Sequence, residues 1–237
     1  MVWILPDSDG GSIRARNGSQ ADDAEPAEEE AEVAEAETER TYQVTVTNLT
    51  EGQPMTPFVA ATHQSGFSLF DRDQSASNGL QQLAENGGVP VLVEELLANH
   101  SVADVQVAAP AAGPPVHPGE SVTVEVTANA EARWITLAGM LISTNDGFGG
   151  VSNVKVPADT KTLFGYAYDA GTETNTESYA DLVPPCDGLG QTGETNPALA
   201  ENATIHRHPG ISGIADLDPA VHGWSGAVIM VEITLVP

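Results

Sequence analysis

Acidic segments that contain glycine follow two apolar runs of this sequence, Trp134–Ile142 and Leu163–Tyr168. The candidate ligands in them are Asp146, Asp169, Glu173, Asn175 and Glu177. Calcium takes about six to eight oxygen ligands from carboxylates, amide or backbone carbonyls and water, so these residue types fit a hard cation. The spacing alone leaves an ordinary solvated loop open as the alternative, because turns also favour Asp, Asn and Gly.

A second group of possible ligands lies in the long irregular stretch 182–225. His206 and His208 alternate in an extended segment, and His222, Asp216 or Asp218 could complete a zinc or copper site. A catalytic metal would also need an open coordination position and a nearby general base, and no motif indicates either. The alternative is that these histidines are loop residues that bond to backbone carbonyls.

The elements that must position these residues are mostly strands. Alternation of apolar and polar residues predicts half-buried strands at Thr41–Leu49, where it is strict, and at Val102–Ala108 and Glu120–Ala128. Gly226–Val236 is predicted to be a long final strand paired inside a sheet. Arg133–Ile142 is more continuously apolar, as in a central strand, and ends in a predicted loop at Ser143–Gly150. Leu163–Tyr168 places Phe164, Tyr166 and Tyr168 on one face. The fold class predicted is all-β, an antiparallel β-sandwich of about eight strands.

One or two short helices are also predicted. Ser77 and Asn78 can cap a helix over Gly79–Glu85 that ends at Asn86-Gly87-Gly88, and Pro90 starts a second one over Val91–Ala98. We expect both helices to cover one end of the sandwich.

The first forty residues differ from the rest in composition. Ala21–Arg40 is dominated by Asp, Glu and Ala, and such a segment cannot bury enough apolar surface to offset chain entropy. The predicted organisation is a disordered acidic tail over residues 1–40 and one β-sandwich domain over residues 41–237. The opening residues MVWILP are too short for a signal peptide core or a spanning helix. The single cysteine, Cys186, allows no intrachain disulfide and is interpreted as structural or incidental.

Charge limits the partners. The chain has 34 acidic and 8 basic residues, and residues 41–237 alone hold 22 acids and 5 bases. This excess opposes binding to nucleic acid or anionic membranes, because phosphate contacts need clustered Lys and Arg. Acidic residues spread along a chain with only two lysines suggest a halophilic protein, since salt screens the self-repulsion of a highly charged chain.

Several segments resemble one known family. Tyr168-Asp-Ala-Gly-Thr-Glu173 is similar to the YDAGTD signature of the spondin amino-terminal domain, of the F-spondin or mindin type, and Ser143–Val151 is similar to its SPDWFVGV segment. Thr41–Leu49, Ala61-Thr-His63 and Gly79–Glu85 follow the order of the family, so the resemblance extends over residues 41–237.

The resemblance implies an antiparallel β-sandwich that binds calcium and acts in extracellular adhesion. It carries a ligand role to Asp146 and Asp169, whereas Glu173 stands where the family often has Asp. The resulting prediction is a secreted or cell-surface, non-catalytic domain whose partner is a cell-surface or matrix protein or a glycan, without direct membrane insertion. The alternative function is a zinc- or copper-dependent enzyme, or a metal-binding protein, that uses His206, His208 and His222.

Overall fold

The computed structural model describes residues 39–184 and 195–237. Most of the predicted tail, residues 1–38, and Cys186 lie outside the described residues. The strands are β1 (Arg40–Asn48), β2 (Phe58–His63), β3 (Val102–Ala108), β4 (Ser121–Ala128), β5 (Trp134–Met140), β6 (Gly147–Lys155), β7 (Thr160–Asp169), β8 (His206–Arg207) and β9 (Ile229–Leu235). The helices are α1 (Asn78–Asn86), α2 (Val89–Leu97) and the short α3 (Pro219–His222), with a 3-10 turn at Tyr179–Asp181.

Every strand pairing is antiparallel, in the order β3-β2-β5-β6-β7-β9-β1-β4, with β8 beside β7. The predicted all-β fold of antiparallel strands with short helices is therefore confirmed. The described residues form nine strands where about eight were expected, because His206–Arg207 forms a short strand inside the stretch predicted to be irregular.

The strands form two layers, one with β4, β1 and β9 and the other with β3, β2, β5, β6 and β8. Strand β7 belongs to both. Its first half pairs with β9 as far as Gly165, and its second half pairs with β6 and β8 from Tyr166 onward. A Cβ on Gly165 would lie 2.6 Å from Ile229 Cγ1 and 2.7 Å from the Gly150 carbonyl oxygen, so the crossing requires a residue without a side chain.

The main core lies between the two layers. Tyr42, Val44 and Val46 on β1 are buried, as the alternation predicts, and they share a cluster with Phe58 and Leu137 of the opposite layer. At the far edges the layers meet through side chains, since Thr62 Oγ1 donates to the Thr127 carbonyl and Asp104 Oδ2 accepts from Thr127 N–H. These contacts make the sandwich a nearly closed barrel.

Helices α1 and α2 cover the outer face of the layer that contains β2, β5 and β6. Their leucines pack with the outward side chains of the strands, which explains why β2 is buried on both faces. Ser77 Oγ accepts from Leu80 N–H and Gly87 adopts a φ of 64°, so the predicted start and end signals of α1 are confirmed. Within the described part of the chain, no helix has the length and apolar character needed to cross a membrane.

The predicted loop at Ser143–Gly150 is wrong in its second half. Gly147–Lys155 forms β6, and only the residues up to Asp146 make the turn. The glycines that indicated a loop serve close packing: a Cβ on Gly149 would lie 2.7 Å from Met55 Cε, and one on Gly150 would lie 2.7 Å from the Leu137 carbonyl oxygen.

Candidate metal centre

A tight turn between β5 and β6 places Asp146 beside the end of β7. Gly147 lies opposite Asp169 in the β6–β7 register, and the Asp146 carbonyl accepts a hydrogen bond of 3.1 Å from Ala170 N–H. The turn itself is held by Thr144, whose Oγ1 donates to the Leu141 carbonyl at 2.6 Å and accepts from Gly147 N–H at 2.9 Å. Two strand ends that are far apart in sequence therefore bring their carboxylates together.

Asp146 is fully buried, and its two carboxylate oxygens have different surroundings. Oδ2 accepts from Thr172 N–H at 2.8 Å, from Glu173 N–H at 3.0 Å and from the Thr172 hydroxyl at 3.2 Å. Oδ1 is buried without a hydrogen-bond partner. Burial, and then the negative charge of Asp169, raise the pKa of Asp146 to about 7, against the opposing hydrogen bonds.

Asp169 is buried on the other side of this pair. Its Oδ1 accepts from Gly171 N–H at 2.8 Å and its Oδ2 accepts from Asn175 Nδ2 at 2.6 Å. His206 Nδ1 lies 3.8 Å from Oδ1, beyond hydrogen-bond distance, and bonds the Thr204 carbonyl at 2.9 Å. Gly171 takes a φ of 70°, in the left-handed region that favours glycine, and this allows the chain to turn back immediately after Asp169.

Glu173 forms a further buried carboxylate next to Asp146. Its Oε1 accepts a long bond of 3.4 Å from Asn196 N–H. Burial and then the charge of Glu85 raise the pKa of Glu173 to about 7, and Asp146 and Asp181 add to the shift. Glu85, on α1, is buried too and accepts from Gln81 Nε2 and the Thr195 hydroxyl.

Glu177 faces a different part of the chain. Its Oε1 accepts from Ser212 N–H at 2.6 Å, and its Oε2 accepts from Gly213 N–H at 2.7 Å and Ile214 N–H at 2.9 Å. The Glu177 carbonyl also accepts from Asp216 N–H at 3.0 Å. Its carboxylate therefore anchors the segment after β8, in a backbone conformation with a φ of 55°.

Asn145, like Glu85, is a residue of this site that sequence reasoning missed. It is buried, its Oδ1 accepts from Thr176 N–H at 3.0 Å and Glu177 N–H at 3.3 Å, and its Nδ2 donates to the Thr176 hydroxyl. Asn145 thus fixes the second acidic loop against the first. The available signal was its position beside Asp146, where an amide can bond backbone groups of a neighbouring loop.

The histidines occupy different surroundings. His206 is exposed and contacts Asp169, whereas His208 packs edge-on against Trp224 with 5.1 Å between ring centroids. Burial lowers the pKa of His208 to about 4, and its Nε2 has no hydrogen-bond partner. His222 is buried in α3, where its Nδ1 accepts from Asp218 N–H and its ring faces Tyr179.

The residues at the two strand ends fit a calcium ion by their chemistry, because Asp146 Oδ1 is a buried, unpartnered oxygen beside a second carboxylate. Among residues 39–184 and 195–237, no group of three or more His, Cys, Asp or Glu is arranged as a metal site. That finding concerns these four side-chain types alone. A calcium site can also be completed by amide oxygens, backbone carbonyls and water.

Comparison of the sequence with models of known families gives a match. The Spondin_N family matches residues 35–184, which is more than half of the 237 residues. The chain therefore belongs to the spondin N-terminal family. The match contains both acidic loops and ends before β8, α3 and β9. No curated protein matches the chain.

Proposed function

We propose that this chain is a calcium-stabilised, non-catalytic domain that acts outside the cell or at its surface. It would bind a cell-surface or matrix protein or a glycan and so serve in adhesion. The observation that carries the proposal is the buried, unpartnered Asp146 Oδ1 beside the buried carboxylate of Asp169. Membership of the spondin N-terminal family supports it.

The electrostatics of the two loops favour a bound cation. Asp146 and Asp169 repel each other in a buried position, and no lysine or arginine of the described residues forms an ion pair with either. Calcium would neutralise both carboxylates and link the ends of β5 and β7. The ligands would be Asp146 and Asp169, with Glu173 beside them and the amide oxygen of Asn175, whose Nδ2 already bonds Asp169. Glu177 acts as an anchor of the 212–214 segment, because backbone N–H groups take both of its carboxylate oxygens.

Thermal unfolding of the full chain, first in EDTA and then with calcium restored, tests the proposal. A ligand that binds only the folded state stabilises it by about 2.7 kcal/mol at a hundredfold excess over Kd, so calcium should raise the Tm clearly. Asp169→Asn should abolish the rise. Asp159→Asn, at an exposed position after β6, is the matched control and should respond like the unchanged protein.

An unchanged Tm on adding calcium would contradict the calcium site. A rise with zinc or copper that is lost in His208→Ala would favour the histidines instead, and with them the metal-dependent enzyme or metal-binding alternative.

A further inference from the structure

The outer face of β7 carries large aromatic side chains that the helices do not cover. Tyr168 packs against Phe70 and Phe148 beneath the helices, but the next residues on the same face, Tyr166 and Phe164, are 39% and 56% exposed. Phe164 lies opposite Met230 on β9, which is also partly exposed. The face therefore continues from a covered aromatic cluster into an open one.

An arginine is stacked on this face. Arg207, on β8, lies opposite Tyr168, and its Cζ is 3.8 Å from the ring centroid of Tyr166 and 4.9 Å from that of Tyr168. Its guanidinium forms no ion pair or side-chain hydrogen bond within residues 39–184 and 195–237. Among the basic residues that the structure describes, Arg207 is the one whose charged group is stacked on aromatic rings, and it is exposed to solvent. We call Phe164, Tyr166 and Arg207 the aromatic–arginine surface.

The chemistry of this surface selects a type of ligand. The faces of aromatic rings carry negative charge density and attract the C–H groups on one face of a pyranose ring. A planar guanidinium matches a carboxylate with two parallel hydrogen bonds. We propose that the aromatic–arginine surface binds an acidic polysaccharide, with one uronate carboxylate on Arg207, which Tyr166 holds in place by stacking, and the adjoining sugar ring on Phe164. This assigns a ligand class to the binding role proposed above and rests on that role.

The surroundings favour isolated carboxylates over a dense polyanion. Glu232 is exposed and lies opposite Thr162, two residues before Phe164 on the same face of β7. A polymer with a charge on every unit would place a second anion near Glu232, which would repel it. Nucleic acids are disfavoured too, because they need several cationic contacts at once. A polysaccharide in which uronates alternate with neutral sugars fits one arginine and one flanking carboxylate.

The surface is also connected to the two acidic loops. β8 has two residues: Arg207 faces Tyr168, and His206 faces Asp169 with its Nδ1 3.8 Å from the Asp169 carboxylate. Any ion that orders Asp169 would therefore help to fix β8 and the position of Arg207. We expect polysaccharide affinity to fall when calcium is removed.

Isothermal titration calorimetry with the full chain tests this inference. The probe is a hyaluronan hexasaccharide, in which glucuronate alternates with N-acetylglucosamine, and the neutral comparison is the N-acetylglucosamine hexamer. The hyaluronan fragment should bind and the neutral hexamer should bind at least about tenfold more weakly, since a hydrogen-bonded charge pair contributes about 1.5–3 kcal/mol.

Arg207→Gln and Tyr166→Ala should each weaken binding about tenfold, and Arg207→Lys should fall between Arg207→Gln and the unchanged protein. Arg133→Gln, at an exposed position before β5, should leave binding unchanged.

Several results would overturn the inference. One is that the hyaluronan fragment fails to bind, and another is that the neutral hexamer binds equally well. A third is that Arg207→Gln binds the fragment with the affinity of the unchanged protein. Self-association that Arg207→Gln abolishes would assign the surface to a second copy of the chain instead. If calcium still raises the Tm while the fragment fails to bind, this inference fails and the proposed calcium site stands. If the fragment binds but calcium does not change the Tm, the proposed calcium site fails and this inference stands.

Discussion

Asp146 and Asp169 are buried side by side at the ends of neighbouring strands, with the Asp146 carbonyl bonded to the residue that follows Asp169. Burial and mutual repulsion hold the pKa of Asp146 near 7, well above its usual range. One oxygen of Asp146 has three donors and the other has none. A folded protein keeps such an arrangement only if the rest of the fold offsets its cost or if a cation neutralises it.

The pH dependence of the calcium-free protein follows from this pair. Because the folded-state pKa values of Asp146 and Glu173 are raised to about 7, the folded state holds protons that the unfolded state releases near its ordinary values of 3.8 and 4.5. Stability in EDTA should therefore decrease as pH rises from about 4.5 to about 7. Asp146→Asn should reduce this decrease by about 2 kcal/mol or more, since one pKa unit corresponds to about 1.4 kcal/mol.

Urea unfolding at a series of pH values gives the comparison. The histidines contribute equally to both proteins, so the difference between the two curves reports the titration of Asp146 together with its effect on Glu173. Parallel curves for Asp146→Asn and the unchanged protein would show that this carboxyl titrates normally. Saturating calcium should flatten the curve of the unchanged protein, because a cation favours the deprotonated carboxylates.

His63 should make the protein less stable as pH falls, the opposite of the effect of Asp146 and Glu173. It is fully buried, its Nδ1 bonds the Gln64 carbonyl, its Nε2 has no partner, and burial lowers its pKa. The unfolded state therefore binds a proton more readily, and the contribution of His63 to stability is lost as pH falls below its ordinary value of 6.5. His63→Asn, which keeps a donor for Gln64, should make the calcium-loaded protein less sensitive to pH between about 6.5 and about 5.

The measurement is the Tm at both pH values, and the exposed His100→Gln is the control. An equal loss of Tm on acidification in His63→Asn and in the unchanged protein would contradict the role assigned to His63.

Glu177 should stabilise the segment after β8 through its charge. Its carboxylate accepts three backbone N–H groups, from Ser212, Gly213 and Ile214, and hydrogen bonds to charged groups contribute about 1.5–3 kcal/mol each. Glu177→Gln should lower the free energy of unfolding by roughly 2–3 kcal/mol and speed amide exchange at residues 212–214. The exposed Glu94→Gln is the matched control. Unchanged exchange at these three amides would refute the anchor.

Gly165 should tolerate no side chain. Gly165→Ala places a Cβ against Ile229 and the Gly150 carbonyl, and overpacking of this kind costs about 1–3 kcal/mol. Gly66→Ala is the control, because an added Cβ there has no atom within 4 Å. Urea unfolding should give a lower midpoint for Gly165→Ala and an almost unchanged one for Gly66→Ala. Equal midpoints would mean that β7 shifts to make room.

Salt should stabilise the chain as a whole. Residues 41–237 hold 22 acids and 5 bases, and added KCl screens their repulsion. The Tm should rise as KCl increases from low to molar concentration, with calcium held constant. A Tm that does not rise would contradict the halophilic interpretation.

The sequence allowed much of the sheet to be predicted. Strict alternation located β1, because its outward residues are polar and its inward residues fill the core. β6 could not be found in this way, because glycines at 147, 149 and 150 are typical of turns and carry no periodicity. Gly149 and Gly150 are required by Met55 and by the Leu137 carbonyl, which lie outside β6, and such contacts exist only in the folded chain.

The juxtaposition of the two acidic loops in the candidate site was predictable where a short motif contained it. Asp146 and Asp169 each end an apolar run and so could be paired. The role of Glu177 depends on amides 35 to 37 residues further along the chain, and that of Glu85 on the packing of α1 near Glu173. No local pattern encodes such distances, so these contacts became visible only in the structure.

The crossing of β7 between the two layers has a mechanical consequence. A tensile force that shears one layer past the other must break the backbone hydrogen bonds of β7 with β9 or those with β6, because one continuous chain spans both. The load is then shared by many backbone hydrogen bonds, while the side-chain contacts at the far edges can open first. Resistance to pulling is thereby concentrated in the strand that ends at Asp169.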